Sequence, residues 1–224
     1  MTSDRRHTDV LILGGGSGGY ACALRASQLG MSVTLIEADK VGGTCLHRGC
    51  IPTKALLHVA EVADISREAE SFGVRTTFAG IDVTAVQAYQ DSVVARLYGG
   101  LKGLIAGRGI GVVTGTGRYV GNRTVDVDGV SYTGDSVVLA TGSAPRAVET
   151  TPFGERILSS DQALRLRDVP RTAVVLGGGV IGVEFASIWA SFGAAVTIVE
   201  ALPRLVANED EWSSKLLERA FRRR

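Results

Sequence analysis

Cys45 and Cys50 stand five positions apart in Gly42-Gly43-Thr44-Cys45-Leu46-His47-Arg48-Gly49-Cys50-Ile51-Pro52-Thr53-Lys54, and two thiols placed this way read as a redox dithiol. In a regular α-helix that spacing separates the two Cα atoms by about 8–9 Å, whereas a disulfide needs less than about 7 Å. A bridge therefore requires a distorted backbone, and Gly49, next to Cys50, is the residue best able to supply the distortion. A strained bridge is an easily reduced one. The competing reading is a zinc site, which uses tighter ligand spacing and two further ligands. Three cysteines and three scattered histidines do not supply them, so no metal is expected. Cys22, in Ala21-Cys22-Ala23-Leu24, falls on a predicted buried helix and reads as a small apolar filler.

The dithiol follows a nucleotide-binding fingerprint, and that fingerprint occurs twice. Val10-Leu11-Ile12-Leu13-Gly14-Gly15-Gly16-Ser17-Gly18-Gly19 returns as Val174-Val175-Leu176-Gly177-Gly178-Gly179-Val180-Ile181-Gly182. In each copy an apolar helix follows, and then a strand that ends in an acid, Glu37 or Glu200, eighteen residues after the last glycine. The spacing G-x-G-x-x-G between strand and helix has a physical purpose. Gly14 and Gly16, like Gly177 and Gly179, allow a tight turn and the approach of a pyrophosphate. Gly19 and Gly182 let helix and strand pack closely, and the helix N-terminus attracts phosphate charge. The acid takes the ribose hydroxyls. At Glu200 a carboxylate also repels a 2′-phosphate, which predicts NAD rather than NADP in the second unit. Arg204 is the one nearby residue that argues the other way.

At 224 residues, 45% hydrophobic and with a formal net charge of +1, the chain can bury a sizeable core and has no global bias toward nucleic acid or membrane. The start, Met1 to Asp9, is polar, with no apolar leader, and no uncharged apolar run reaches the length of a membrane span. A cytoplasmic setting is expected, where a dithiol is a working group because structural disulfides are rare.

Between the fingerprints lies a long insertion. Apolar residues recur at helical spacing from Thr53 to about Ala69 and from Asp82 to about Gly107. Short strands at Val112-Val113, Tyr119-Val120, Thr124–Val127 and Val130–Tyr132 then suggest a small meander. A separate apolar strand, Ser136–Ala140, runs into Thr141-Gly142-Ser143, at the place where ligands bind in doubly wound sheets. A linker is predicted at Ala144–Pro152. After Glu200, Asp210–Arg223 forms an amphipathic helix with Trp212, Leu216, Leu217, Ala220 and Phe221 on one face. No third strand follows in the second unit, which would leave apolar faces in water. The expectation is thus the N-terminal part of a longer α/β protein, with two Rossmann-like dinucleotide-binding units and a helical and β-meander insertion. Residues 1–148 would form the first domain and 149–224 an incomplete second one.

As a set, these motifs resemble the flavin-dependent pyridine nucleotide-disulfide oxidoreductases over the whole chain. The C-x4-C box, running on into Ala55-Leu56-Leu57, is most similar to that of the dihydrolipoamide dehydrogenase members. The strand end Ala140-Thr141-Gly142 and Ile157-Leu158-Ser159-Ser160-Asp161-Gln162-Ala163-Leu164 add to the likeness. The resemblance implies that FAD is bound through Gly14, Gly16, Gly19 and Glu37, with Lys54 near the flavin ring and Gly117, Thr141, Gly142 and Ser143 completing the pocket. NAD is then bound through Gly177, Gly179, Gly182 and Glu200. Cys45 is implied as the thiol that exchanges with a dihydrolipoyl substrate and Cys50 as the flavin-facing thiolate. Glu184 is implied as the partner of Lys54, although a helix N-terminus also favours an acid in its own right. The implied partners are lipoyl groups on acyltransferase subunits of 2-oxo acid dehydrogenase complexes, and a second copy of the chain in a homodimer.

The resemblance also implies a His–Glu base in a further C-terminal domain. No histidine here matches it. His7 is expected in a mobile N-terminus, His47 to face solvent or pack locally, and His58 to be a core or partly buried helix residue. Two rivals stand beside the lipoamide reading. One is a mercuric or glutathione-type reductase, against which Glu200, Leu46 and Ile51 weigh. The other is a non-enzymatic flavin-binding fragment.

Overall fold

The computed structural model describes residues 6–223, which fall into two compact units. The first joins the chain up to Ile51 with Ser92–Val148, and the second joins Pro52–Asp91 with the chain from Glu149 onward. The helical segment 52–91 therefore groups with the second fingerprint. Among the described residues, no helix is long and apolar enough to cross a membrane.

In chain order the first unit has β1 (His7–Leu13), α1 (Ser17–Gln28), β2 (Val33–Glu37), α2 (Gly43–Arg48) and the start of α3 (Cys50–Glu68). It resumes in α4 (Val83–Gly107) and continues with β3 (Gly111–Thr114), β4 (Gly117–Gly121), β5 (Thr124–Val127) and β6 (Val130–Leu139). The sheet order is β3-β2-β1-β6-β5-β4. β3, β2, β1 and β6 run parallel, and β6, β5 and β4 antiparallel.

Alternation along β1 sends Val10 and Ile12 to one face and Leu11 and Leu13 to the other. The first face is covered by α1 and the later turns of α4, through Ala23, Ala26, Tyr98, Leu101 and Ile105. The second is covered by Val125, Val127 and Tyr132 of the hairpin. A strand buried on both faces reads as a continuous apolar run, which is why β1 and β2 were visible in sequence.

Two strand expectations are corrected. Val112-Val113 is no part of a meander, because β3 pairs parallel with β2, Leu35 opposite Val112. Val130–Tyr132 and Ser136–Leu139 are one strand. The N-terminal end of β6 pairs with β5 and its later part with β1, both through Thr133. Gly134 allows this, since a Cβ there would lie 2.7 Å from that of Leu11.

The second unit contains most of α3, a 3₁₀ turn at Ala69–Phe72, the start of α4, α5 (Ser160–Ala163), β7 (Thr172–Leu176), α6 (Val180–Phe192), β8 (Ala195–Val199) and α7 (Glu211–Phe221). Leu56 and Ala60 of α3 pack with Leu164 and with Phe185, Ile188, Trp189 and Phe192 of α6. A capping box, Ser159 with Gln162, starts α5. β7 and β8 form a two-stranded parallel sheet. Its residues Val174, Leu176 and Val199 are 72%, 59% and 47% exposed. On α7 the apolar face expected to be shared is split: Leu217 and Phe221 are half-buried while Trp212, Leu216 and Ala220 are exposed.

Candidate active site

The first fingerprint turn is built by close backbone contacts. β1 ends at Leu13, and Gly14 follows with φ 104°, a conformation costly for any residue with a Cβ. A Cβ on Gly19 would lie 1.8 Å from the Gly14 carbonyl oxygen, so α1 reaches the turn only with glycine there. Gly16 caps α1 in extended conformation, leaving first-turn N–H groups without partners inside the helix. Glu37, at the end of β2, closes the turn from the side. Its Oε2 accepts the Gly15 N–H at 2.6 Å and its Oε1 the Asp39 N–H at 2.9 Å. A carboxylate has about four acceptor positions, so two remain for hydroxyl donors.

The second turn repeats this geometry. Gly177 has φ 106°, and a Cβ on Gly182 would lie 1.9 Å from the Gly177 oxygen. Glu200 accepts from Gly178 N–H at 2.6 Å and from Leu202 N–H at 2.8 Å. Those hydrogen bonds, Leu202 first and Gly178 next, hold the Glu200 carboxyl below its ordinary pKa. Gly179 caps α6 as Gly16 caps α1. Both cradles fit a dinucleotide: open helix N-termini for phosphate and a braced carboxylate for ribose hydroxyls.

Around the first turn, the other expected residues fall in different places. The Ala140 N–H donates to Leu13 O at 2.8 Å, which holds the end of β6 beside the end of β1. Thr141, Gly142 and Ser143 follow, exposed. Gly117 starts β4, and a Cβ on it would lie 2.5 Å from Leu13 Cδ1 and 3.0 Å from Ile36 Cγ2. Its glycine is explained by packing under the sheet. Beside Glu37 lies a cavity of about 390 Å³ lined also by Lys40, Tyr98, Lys102, Ile105 and Thr114.

The dithiol loop is tied to the same turn. The Gly42 N–H donates to Gly15 O at 2.8 Å, and Gly43 packs so closely that a Cβ on it would lie 2.6 Å from Gly16 Cα. Sequence reading gave no role to this glycine pair, although its doubling just before Cys45 was the available signal. α2 carries Cys45, half-buried, and ends at Arg48; Cys50, exposed, opens α3. Gly49 breaks the helix between them, and its Cβ would lie 3.0 Å from Thr44 O. Both cysteines are thiols, with no disulfide. In the second unit, Lys54 Nζ lies 2.7 Å from Glu184 Oε1, joining α3 to α6.

Residues 8–224 match the profile of the family described as pyridine nucleotide-disulphide oxidoreductase. The chain belongs to that family. It is 39% identical over 214 residues to a dihydrolipoyl dehydrogenase of Thermus scotoductus, covering 95% of this chain and 46% of that one. To a dihydrolipoyl dehydrogenase of Bacillus subtilis it is 41% identical over 230 residues, covering 96% and 48%. Among solved structures, LpdA from Mycobacterium tuberculosis superposes with a TM-score of 0.85 at 28% identity, over 96% of this chain and 49% of that one. The Cu(II) complex of the HOCl-induced flavoprotein disulfide reductase RclA from Escherichia coli gives 0.76 at 30%, over 95% and 46%. The chain thus spans about half the length of the curated relatives it matches.

His7 is not in a mobile tail: it is the first residue of β1, with Nδ1 2.9 Å from Thr133 Oγ1 and Nε2 3.5 Å from Asp135. His58 is no core residue. Its side chain is exposed and pairs with Glu61 at 3.3 Å, because Lys54 and His58 share the outer face of α3. His47 packs locally, with Nε2 2.9 Å from Val41 O. Cys22 is half-buried against the core of the first unit. Arg204 spends its guanidinium on the loop, donating from Nη2 to Ala207 O and Glu209 O, both at 2.9 Å.

Proposed function

We propose that this chain carries the FAD-binding turn and the working dithiol of a flavoprotein disulfide oxidoreductase of dihydrolipoyl dehydrogenase type. The observation that carries the reading is the glycine–glutamate turn at Gly15–Glu37, repeated at Gly178–Glu200, with the Cys45–Cys50 loop packed through Gly42 and Gly43 on the first copy. The names of the relatives support the same substrate class.

In this reading a thiolate of a dihydrolipoyl group attacks Cys45 in an oxidised Cys45–Cys50 pair, and Cys50 leaves as a thiolate. The second substrate thiolate then displaces Cys45 and closes the lipoyl disulfide. The substrate loses two electrons and two protons, and the cysteine pair gains the two electrons. FAD, when bound, supplies the two-electron chemistry that links such a dithiol to a nicotinamide. Gly14, Gly16 and Gly19 would hold its pyrophosphate, Glu37 its ribose, and Thr141, Gly142 and Ser143 would border the pocket, with Lys54 steadied by Glu184. Gly177, Gly179, Gly182 and Glu200 would hold NAD. NAD over NADP is favoured by an ionised Glu200 and by the commitment of Arg204 to backbone carbonyls. Lipoyl groups on acyltransferase subunits, a homodimer and a cytoplasmic setting belong to the same proposal.

The test is reconstitution. Purified chain mixed with FAD and gel-filtered should retain bound flavin absorbance, and Glu37→Ala should weaken retention without changing thiol content. A chain that remains colourless at high FAD concentration would sink the reading.

A further inference from the structure

α2 is only six residues long, far too short to be stable by itself. Whatever fixes its orientation also fixes Cys45. Besides the buried Leu46 and the Gly43–Gly16 contact, one side chain on α2 reaches two other parts of the first unit. His47 Nε2 lies 2.9 Å from the Val41 carbonyl. Because a carbonyl only accepts, Nε2 carries the proton and donates. The same imidazole meets the Tyr98 ring edge-to-face, with centroids 5.0 Å apart and planes at 74°. Tyr98 in turn has the Lys102 ammonium over its ring, 4.7 Å from the centroid. His47 therefore joins α2 to the loop after β2 and to α4. Val41 is followed directly by Gly42, whose N–H is bound to Gly15 O in the fingerprint turn.

We propose that His47 is a positioning residue for the dithiol. Through its hydrogen bond to Val41 and its ring contact with Tyr98, it holds α2, and with it Cys45, in the orientation that favours bridge closure with Cys50 across the break at Gly49. The inference rests on the redox reading of the two cysteines, and it gives His47 no part in proton transfer. Its donor nitrogen is turned to a backbone carbonyl, and what it contributes is geometry. Two separable contacts carry that role. Glutamine at 47 keeps a donor for Val41 and loses the ring; phenylalanine keeps the ring and loses the donor.

The experiment measures the glutathione-buffered equilibrium between thiols and the Cys45–Cys50 disulfide in the full 224-residue chain. Trapped peptides are mapped by mass spectrometry, and Cys22 serves as an internal unbridged control. His47→Gln, His47→Phe and Tyr98→Leu are compared with the wild type, each checked for unchanged circular dichroism. Each variant should need a more oxidising buffer, with the equilibrium constant for bridge closure lowered about 2- to 10-fold, the size of one net hydrogen bond or aromatic contact. Tyr98→Leu added to His47→Gln should cost less than its effect alone, because the ring contact is already lost in His47→Gln. Ala26→Gly, which weakens the same core from α1, should leave the constant unchanged. Bridge closure that is identical in wild type and His47 variants overturns the proposal and leaves the redox reading standing. An equal shift in Ala26→Gly overturns it as a general stability effect. A wild type in which Cys45 and Cys50 never bridge overturns the proposal and the redox reading together.

Discussion

Glu37 and Glu200 each brace a glycine turn through two backbone N–H groups, and the cost of changing the residues around them can be read from the contacts. Gly19 and Gly182 face the carbonyls of Gly14 and Gly177 at distances no Cβ tolerates, 1.8 and 1.9 Å. Gly18 has nothing within 4 Å of its Cβ position. Gly19→Ala should therefore lower stability by about 1–3 kcal/mol and abolish FAD retention, while Gly18→Ala should fold normally and lose little stability; denaturant melts and flavin absorbance check both. Glu200 adds a pH dependence. Its folded pKa lies below the unfolded value because Leu202 and Gly178 donate to the carboxylate, so the unfolded state binds more protons as acid is added. This contribution is complete above the unfolded value, about 4.3, and is lost as pH falls through the folded one. Wild type should exceed Glu200→Gln in melting temperature near neutral pH, and the gap should narrow below about pH 4.3; a gap constant to pH 3 would show that the two N–H bonds do not favour the anion. At this scale the sequence was highly legible. The fingerprint glycines and their acids have spacings that physics constrains tightly, whereas His58 was misplaced because a single histidine carries no periodic signal of its own.

Elements were legible where their burial pattern was one-sided or complete. β1, α1 and β2 of the first unit, and β7, α6 and β8 of the second, show the strand–turn–helix–strand order in the sequence itself. The ends of α3 and α4 lie within a few residues of their predicted limits. What failed was pairing. Val112-Val113 sits among short strands in the chain, but the crossover that returns through α4 carries β3 to the edge of the parallel sheet, beside β2. β6 looked like two strands because Thr133-Gly134-Asp135 reads as a turn. Gly134 is there for a close approach to Leu11, not for a bend. The break at Gly49 is a case where local reasoning worked: the cysteine spacing demanded an interruption, and α2 ends and α3 begins around that residue. The glycine pair before Cys45 was missed because its role, contact with Gly16 and Gly15, joins residues far apart in sequence.

For the molecule as a whole, the two units differ in how completely they bury their sheets. The first buries both faces of its central strands β1 and β2. The second has two strands, with Val174, Leu176 and Val199 largely exposed. A glycine turn on two strands has fewer elements to fix the geometry of any dinucleotide it would hold, and the curated relatives are about twice as long as this chain. Proton transfer is the second deficit. Among the described residues, His7 is held by Thr133 and Asp135, His47 by Val41 and His58 by Glu61, and thiol exchange needs a base to form the attacking thiolate. Loss of a positioned base alone costs roughly 10²–10⁴-fold. The 224-residue chain, reconstituted with FAD, should therefore reduce NAD with dihydrolipoamide at a rate at least about 100-fold below that of a full-length relative assayed beside it, while still closing and opening its Cys45–Cys50 bridge in a glutathione buffer. Rates within tenfold of the relative would refute this, and His47→Phe and His58→Phe in that active chain would then show which imidazole acts as the base.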